Sequence, residues 1–486
     1  MESKSKTHIA LVSIPAFSHQ ASILEFAKRL LHLHPHHFHV TCLIPTLPHH
    51  SPPPASLPFL HSLPPSIHPL FLPPPNLDDV VPPHNTPLLQ VHLQLALSRS
   101  MPSVRRALAS LSGLSALVVD PFASEALEFA KELNAASYIY FPSSAMLLKL
   151  CLYAARLDTN VSGDCEFRDV SGFIEIPGCV PLRGIDLPDN LQERSGVAYR
   201  QFLQRCKRYR LAEGFFVNTF VEMERDVIGT LTGEDADLED QEDEGATNVY
   251  PVGPIIQSGS NPQQSGSDCL RWLDTQPPNS VLYVSFGSGG SLSGDQIKEL
   301  ALGLELSNSR FLWVNVKPPS DKASASYLST NENESPEAFL PKGFVERTKE
   351  RGMVMSCWAP QVEVLGHSAT GGFLSHCGWN SVLESVVKGV PLIAWPLFAE
   401  QRTNAAMLVD GLKVAVRAPE VGDGVMEKEE IAKVIKSLME GEEGKEVRRR
   451  MKKLKDDAVA AVTEDGSSTR TLSELAMKWK RMRDAI

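Results

Sequence analysis

The sequence predicts an α/β fold of two doubly wound, Rossmann-like domains that face an interdomain cleft. With 486 residues the chain is too long for one ordinary hydrophobic core, which indicates two domains. In each half, short apolar runs alternate with amphipathic segments, as expected for parallel βαβ units. Ligands of such sheets bind beyond the carboxyl ends of the strands, so we expect functional residues there.

The first half contains four apolar runs that predict strands and two amphipathic segments that predict helices. The predicted strands are Ile9–Ile14, Phe38–Ile44, Ala116–Val119 and Tyr138–Phe141. The predicted helices are Ile23–Leu31 and Ala123–Leu133. The segment Ser51–Pro87 is rich in proline and predicts an irregular surface loop.

The second half repeats this alternation. The predicted strands are Val281–Phe286, Phe311–Val316, Gly371–Ser375 and Pro391–Trp395. The predicted helices are Gln296–Leu306, one that begins at Asn380, and Ser467–Ala485. The segment Lys317–Leu340 has no periodicity and predicts a second irregular loop.

The domain boundary is predicted near Tyr250–Pro254. An acidic run, Glu234–Glu244, precedes it, and a segment rich in Gln, Ser and Gly, Gln257–Ser267, follows it. The predicted domains are therefore residues 1–250 and 251–460, with residues 461–486 as a C-terminal helix.

Composition narrows the class of protein. A net charge of −11 and a pI of about 5.8 argue against nucleic acid as a partner. The eight cysteines form no C-x-x-C pair, which favours reduced thiols over disulfides or a zinc site. The sequence has neither a signal-peptide pattern nor a membrane-spanning apolar run. We therefore expect a cytoplasmic protein; we also expect a monomer.

The most informative segment is Trp358–Gln401. Within it, Gly371–His376 predicts a buried strand, and a helix opens at Asn380 and Ser381 after a short turn. The unpaired backbone N–H groups and the positive dipole end of such a helix favour a phosphate group. The side chains of His376, Asn380 and Ser381 add donors at the same place.

Other residues of this segment suit a nucleoside and a sugar. Glu384 follows one helical turn after Asn380, where its carboxylate can accept both hydroxyls of a ribose. Trp358 can stack on a base, and the Gln361 amide can reach base or ribose. Glu400 and Gln401 come after the next predicted strand with groups that can hold a hexose. The segment thus predicts a nucleotide-sugar site.

Two polar residues end strands of the first domain. His19 follows the first predicted strand and Asp120 follows the strand Ala116–Val119, so both lie at the same edge of the predicted sheet. Histidine accepts a proton near neutral pH, and an aspartate bonded to its far nitrogen fixes the tautomer. Taken without context, a histidine in a loop is more often a capping or surface residue, and an aspartate at a strand end is often a helix cap.

Trp358–Gln401, with its H-C-G-W-N-S turn, resembles the signature box of plant UDP-dependent glycosyltransferases. The resemblance implies the GT-B fold, with UDP-glucose as co-substrate and neither a further cofactor nor a metal ion. It also implies that the C-terminal helix, residues 461–486, packs back on the first domain. It implies that Trp358 stacks on uracil, Glu384 binds ribose, and the turn binds the diphosphate. The donor-binding residues that it implies are Ser288, Trp358, Ala359, Gln361, His376, Trp379, Asn380, Ser381, Glu384, Glu400 and Gln401.

The resemblance also implies the reaction. His19 and Asp120 match the family's catalytic base and its partner, and the terminal Gln401 usually accompanies glucose. Cys165–Arg168, Pro177–Pro181 and Leu282–Gly290 are similar to the branch that glucosylates simple phenols. We therefore expect inverting transfer of glucose to a small phenolic or flavonoid-like acceptor in plant secondary metabolism, giving a β-glucoside.

Some features leave alternatives open. The loop Ala16–Ser22 departs from the glycine, apolar pair and proline that many relatives carry around the histidine. Transfer to an aromatic carbon or nitrogen is therefore a rival, as is a non-catalytic module that binds nucleotide sugars. Phe122 and Phe141 suit the walls of an acceptor pocket, although Phe141 suits the core equally. The D-x-D pattern Asp235–Asp237 lies in an acidic run, where such matches arise from composition.

Overall fold

The computed structural model describes most of the chain in two compact units. The described residues are 6–47, 57–78, 89–160, 165–233, 247–257, 264–325, 335–419 and 424–484. The first unit comprises Met1–Ile185, Asn190–Gly259 and Val459–Ile486. The second comprises Asp186–Asp189 and Ser260–Ala458.

The first unit is built on a seven-stranded parallel sheet in the order β3-β2-β1-β4-β5-β8-β9. Its strands are β1 (Thr7–Val12), β2 (Phe38–Ile44), β3 (Ile67–Phe71), β4 (Leu114–Val119), β5 (Ala136–Phe141), β8 (Gly214–Val217) and β9 (Val249–Pro251). A separate antiparallel pair consists of β6 (Phe173–Ile174) and β7 (Leu182–Arg183). The central strands are apolar and wholly buried, as strands covered by helices on both faces must be.

The helices of the first unit connect these strands. They are α1 (Phe17–Leu33), α2 (Leu57–His61), α3 (Leu89–Ala109), α4 (Ala145–Asn160), α5 (Asp189–Gln192), α6 (Val197–Arg208) and α7 (Arg225–Thr232). A 3₁₀ helix, Pro121–Phe129, kinks at Ala123 and follows β4. Asp120 caps it and a proline begins it, so the polypeptide turns sharply at the end of the strand.

The C-terminal segment completes the core of the first unit. The last helix of the chain, α16 (Ser467–Asp484), buries Trp479 completely against Phe38, Tyr138 and Phe216. At its first turn, the Ser468 hydroxyl donates to the carbonyl of Gly253. Burying a tryptophan contributes on the order of 2–3 kcal/mol, so this helix is an integral part of the unit.

The second unit repeats the doubly wound plan with a six-stranded parallel sheet in the order β12-β11-β10-β13-β14-β15. Its strands are β10 (Val281–Ser285), β11 (Arg310–Trp313), β12 (Gly352–Val354), β13 (Thr370–Ser375), β14 (Leu392–Ala394) and β15 (Ala415–Arg417). Its helices are α8 (Gln264–Asp274), α9 (Gly294–Ser307), α10 (Phe344–Thr348), α11 (Gln361–Gly366), α12 (Trp379–Lys388), α13 (Gln401–Ala406), α14 (Lys428–Glu440) and α15 (Glu442–Ala461).

Three sequence predictions differ from the structure. The segment Ser51–Pro87, predicted as irregular, contains α2 and β3; β3 is an edge strand, where Pro69 is tolerated because one side of the strand needs no partner. The predicted helix Ala123–Leu133 is instead the kinked 3₁₀ helix. His19 lies in the first turn of α1 and not in a loop before it, because that helix begins at Phe17.

Among the described helices, none has the length and apolar character needed to span a bilayer.

Candidate active site

The candidate catalytic residues lie at the switch point of the first sheet. The chain leaves β1 toward β2 on one side, and β4 pairs with β1 on the other, so the crossover connections diverge between β1 and β4. α1 starts beyond the end of β1 and carries His19, while Asp120 directly follows β4. The backbone N–H of Asp120 donates to the carbonyl of Val12 at 2.8 Å, which holds the two strand ends together. This is where doubly wound sheets place their ligands.

The structure brings His19 and Asp120 into direct contact. Nδ1 of His19 lies 2.6 Å from Oδ2 of Asp120, whose side chain is completely buried. The other oxygen, Oδ1, accepts the backbone N–H of Phe122 at 3.0 Å. Both carboxylate oxygens are therefore fixed. Because the carboxylate accepts a hydrogen bond from Nδ1–H, Nε2 of a neutral imidazole is the nitrogen able to accept a proton.

The residues that depart from the usual family loop make structural bonds. Nε2 of Gln20 donates to the carbonyl of Ile14 at 2.9 Å and so ties α1 to the end of β1. The Ser22 hydroxyl lies 2.8 Å from the Tyr140 hydroxyl, and both groups are buried. These bonds hold the first turn of α1 in place, although Ala16 provides no side-chain cap. The altered loop therefore supports His19 through polar contacts.

The two candidate acceptor residues have different surroundings. The Phe122 ring meets the His19 ring edge-on, with centroids 5.8 Å apart, and the guanidinium of Arg205 lies 4.3 Å from its centroid. Phe122 is thus beside His19, one of the two candidate catalytic residues. Phe141 is buried in β5 and packs edge-on against Tyr209. This packing favours the core role that the sequence also allowed for Phe141.

The candidate phosphate site lies at the switch point of the second sheet, where β10 pairs with β11 on one side and β13 on the other. The loop Phe286–Gly290 follows β10, and the turn His376–Gly378 follows β13 and leads into α12. α12 has Gly378 as its N-cap, without a side-chain cap, so backbone N–H groups at its start point outward. These donors and the helix dipole favour a diphosphate.

Two glycines enclose His376. A Cβ atom on Gly287 or on Gly378 would lie 2.5 Å from Nε2 of His376, and Gly287 has a φ of +73°. Only glycine therefore allows the two loops to close on the imidazole. Burial lowers the pKa of His376 to about 4, so its ring is neutral at physiological pH. A neutral imidazole can donate one hydrogen bond to a phosphate oxygen.

A polar network suited to a nucleoside lies beside this turn. Nε2 of Gln361 donates to Oε2 of Glu384 at 2.7 Å and to Oγ of Ser381 at 2.9 Å. The Tyr283 hydroxyl donates to Oε1 of the same amide at 3.2 Å. Trp358 nearby in the chain is 49% exposed, which is unusual for a tryptophan and leaves its ring free to stack.

Burial changes the acidity of Glu384. It raises the pKa of the carboxyl from 4.5 to about 7, and the bond from Gln361 offsets part of this effect. A buried carboxylate gains from partners that donate hydrogen bonds, and a ribose offers two hydroxyl donors. Perturbed acidity of this kind is typical of functional sites.

The candidate sugar-binding residues stand at the start of α13. Oε1 of Gln401 accepts the backbone N–H groups of Leu397 and Phe398 at 2.9 and 3.0 Å. Oε1 of Gln401 is therefore used in bonds within the turn, and Nε2 is the atom that can donate to a sugar hydroxyl. Glu400 is the N-cap residue of α13.

The remaining predicted donor residues lie along the same strand ends. Asn380 and Trp379 occupy the first turn of α12, and the Trp379 side chain is buried. Ala359 is completely buried beside Trp358. Ser288 is exposed in the loop after β10.

Sequence reasoning missed three residues that organise this site. Tyr283 orients the Gln361 amide, and Nδ2 of Asn404 donates to the carbonyl of Cys377 at 3.0 Å, in the turn where Cys377 has a φ of +64°. Asp189 bonds to the turn before α13. A tyrosine in an apolar strand signals a buried hydroxyl that needs a partner, whereas nothing in the sequence marks Asn404 or Asp189.

Among the described residues, no group of His, Cys, Asp or Glu side chains is arranged to hold a metal ion. The D-x-D pattern at Asp235–Asp237 lies outside the described residues.

Two Rossmann-like units, with polar groups at both switch points and a phosphate-type helix N-terminus in the second, define a nucleotide-sugar-dependent glycosyltransferase of the GT-B fold. Residues 255–461 match the family model "UDP-glucoronosyl and UDP-glucosyl transferase". The chain belongs to this family and is a UDP-glycosyltransferase.

Relatives and solved structures match along nearly the whole chain. The hydroquinone glucosyltransferase of Rauvolfia serpentina is 48% identical over 97% of this chain and 98% of its own length. Phytolacca americana UGT2, complexed with UDP-2fluoro-glucose and pterostilbene, is 46% identical, with a TM-score of 0.86 over 97% of this chain and 99% of that one. A UDP-glucosyltransferase from Polygonum tinctorium capable of glucosylating indoxyl, in a complex with 3,4-dichloroaniline, is 45% identical, with a TM-score of 0.86 over 98% and 99%.

Proposed function

We propose that this protein transfers glucose from UDP-glucose to the hydroxyl of a small phenolic acceptor, with inversion, to give a β-glucoside. The observation that carries the proposal is the 2.6 Å contact between His19 and the buried Asp120. A histidine held in one tautomer by a carboxylate is suited to remove a hydroxyl proton.

The proposed reaction is a single displacement. The acceptor oxygen attacks the anomeric carbon of glucose as Nε2 of His19 takes its proton. The bond from that carbon to the phosphate oxygen breaks, and UDP leaves with the electron pair. Asp120 stabilises the imidazolium that forms. Attack from the face opposite the leaving group converts the α-linked donor into a β-glucoside.

We propose that the second unit holds the donor and receives the charge of UDP. The backbone donors at the start of α12 and in the loop Phe286–Gly290 would bind the diphosphate, with His376 and Ser288 beside them. Trp358 would stack on uracil, and Glu384 would accept the ribose hydroxyls. In this proposal, backbone donors at the start of α12 stabilise the phosphate charge in place of a metal ion. We therefore expect the enzyme to keep its activity in the presence of EDTA.

The acceptor class rests on the relatives and on Phe122. The Rauvolfia relative is named for hydroquinone, and the Phytolacca structure contains pterostilbene. The Phe122 ring beside His19 offers an apolar surface on which an aromatic acceptor can pack. A hydroxyl held next to that surface comes within reach of Nε2.

The test is a competition assay with UDP-glucose and a panel of phenols, flavonoids and terpenoid alcohols. We expect phenols to be consumed first and the product to show the large anomeric proton coupling of a β-glucoside. Consumption of terpenoid alcohols alone would contradict the phenolic acceptor. An α-anomer would contradict the inverting mechanism.

Transfer to an aromatic nitrogen is a second candidate. The Polygonum relative was solved in a complex with an aniline. An aromatic amine would occupy the same place beside Phe122 and lose its proton to the same base. Offering 4-aminophenol separates the candidates, because the linkage to oxygen or nitrogen is read directly from the carbon shift of the anomeric position.

We also propose a cytoplasmic location, supported by the thiols. All eight cysteines are free in the structure, as expected for a reducing compartment.

A further inference from the structure

The turn between β14 and α13 has an uncommon backbone. Ala399, directly before the predicted sugar-binding residues Glu400 and Gln401, has a φ of +57°. A non-glycine residue in this left-handed region is disfavoured and persists where neighbouring contacts hold it. The direction in which Glu400 and Gln401 leave the turn depends on this residue.

Asp189 forms hydrogen bonds with both backbone polar groups of Ala399. Oδ2 of Asp189 accepts the Ala399 N–H at 2.7 Å, and the Asp189 N–H donates to the Ala399 carbonyl at 3.2 Å. Oδ1 of Asp189 pairs with NH1 of Arg402 at 2.9 Å. One side chain therefore bonds to the residue before the sugar-binding pair and to the residue after it.

Asp186, in the same short segment Asp186–Asp189, bonds to residues of α13 and β15. The Thr403 hydroxyl donates to the carbonyl of Asp186 at 2.7 Å, and NH1 of Arg417 lies 3.4 Å from the Asp186 carboxylate. By its contacts this segment belongs to the second unit, although its neighbours in sequence belong to the first. These bonds reach the turn before α13, α13 itself and β15.

We propose that Asp189 is a positioning residue for the sugar of the donor: it holds the turn at Ala399 so that Glu400 and Gln401 present their polar groups to the hexose. This inference rests on the proposed function and adds a residue to it. Among the described residues, Asp189 bonds to no member of the polar network of Gln361, Ser381, Glu384 and Tyr283, so we expect its effect to be confined to the sugar part of the ligand.

The test compares the binding of UDP-glucose with that of UDP, by calorimetry without an acceptor. For Asp189→Ala we expect the Kd of UDP-glucose to rise about tenfold, or about 1.4 kcal/mol, while the Kd of UDP changes less than twofold. The KM for UDP-glucose should rise in parallel. Asp189→Asn keeps an oxygen for the Ala399 N–H and should recover most of the affinity, since only the charge-assisted bond to Arg402 is lost.

Controls separate this effect from a general loss of structure. Glu305→Gln removes another arginine–carboxylate pair of the second unit, to Arg347, and should leave both affinities unchanged. If Asp189→Ala does not fold, Arg402→Met breaks the charge-assisted bond that Asp189→Asn weakens, and we expect the same smaller rise in the Kd of UDP-glucose, with the Kd of UDP unchanged. Equal weakening of UDP and UDP-glucose, or no weakening of either, would overturn the inference. Failure of the wild-type chain to bind either ligand would overturn the proposed function itself.

Discussion

The replacement of Asp120 by asparagine is the sharpest probe of the proposed catalytic pair, His19 and Asp120. In the wild-type protein, Oδ1 accepts the Phe122 N–H and Oδ2 faces Nδ1 of His19. Asparagine can keep its single oxygen on Phe122, which preserves the cap of the 3₁₀ helix. Its NH₂ group then faces Nδ1, so the imidazole must place its proton on Nε2. The tautomer that results cannot accept a proton from the acceptor hydroxyl.

The size of the effect follows from the geometry. Asp120 is completely buried and His19 is 25% exposed, so the imidazolium formed in turnover is weakly screened by solvent. Opposite charges about 4 Å apart at an effective dielectric constant near 20 attract by about 4 kcal/mol, which corresponds to about 10³-fold in rate. We expect kcat for Asp120→Asn to fall by about 10²- to 10⁴-fold, the range for loss of a general base.

The assay is steady-state glucosylation of hydroquinone with saturating UDP-glucose, together with calorimetric binding of UDP. Asp120→Asn should keep the wild-type affinity for UDP because Asp120 belongs to the first unit and the proposed UDP site to the second. The exposed Asp226 in α7 provides a control, since Asp226→Asn changes the net charge equally and should retain full activity. A variant at position 120 that keeps kcat within threefold of the wild type would refute the reasoning.

Three further predictions concern the second unit. For Trp358→Ala, loss of stacking on the base should raise the Kd of UDP about 5- to 150-fold, from about 1–3 kcal/mol, with little change in thermal midpoint because the ring is exposed; an unchanged Kd would contradict the stacking role. The pKa of Glu384 lies near 7 in the ligand-free chain, so UDP affinity should fall as pH drops from 8 to 6 and the carboxyl takes up a proton. Because the pKa of Glu384 is raised in the folded protein, its contribution to stability is fully present below the pKa of the unfolded chain and is lost as pH rises through 7. Glu384→Gln should therefore unfold at a higher temperature than the wild type at pH 8, yet bind UDP weakly at every pH. A wild-type affinity for UDP in this variant would exclude the carboxylate as the ribose acceptor. Gly287→Ala should lose UDP affinity and about 1–3 kcal/mol of stability, because its Cβ would meet His376 in a left-handed conformation; a variant with the wild-type urea midpoint would contradict the close packing of the two loops.

Much of the architecture follows from local sequence patterns. Strands buried on both faces are continuous apolar runs, so β1, β4, β5 and β13 were predicted to within a few residues. The edge strand β3 was missed, because its proline and exposed positions give it the composition of a loop. That the two domains face a common cleft stays a prediction.

The residues of the candidate site also divide into those that the sequence predicts and those that it does not. His19, Asp120 and the residues of Trp358–Gln401 follow strand ends, so topology alone brings each group to one edge of a sheet. Asp189 could not be found, because its partners Ala399 and Arg402 are about two hundred positions further along the chain and no periodicity relates them. Tyr283 is similar: its hydroxyl interrupts an apolar strand, but the sequence does not identify Gln361 as its partner.

In the proposed mechanism, His19 is the base for sugar transfer to a phenol. The most direct measurement follows His19→Ala with UDP-glucose and hydroquinone, quantifying product by chromatography and UDP affinity by calorimetry. We expect the wild type to form the β-glucoside, and we expect the variant to bind UDP as tightly yet to turn over at least about 10²-fold more slowly. Turnover by the variant at the wild-type rate would contradict the claim.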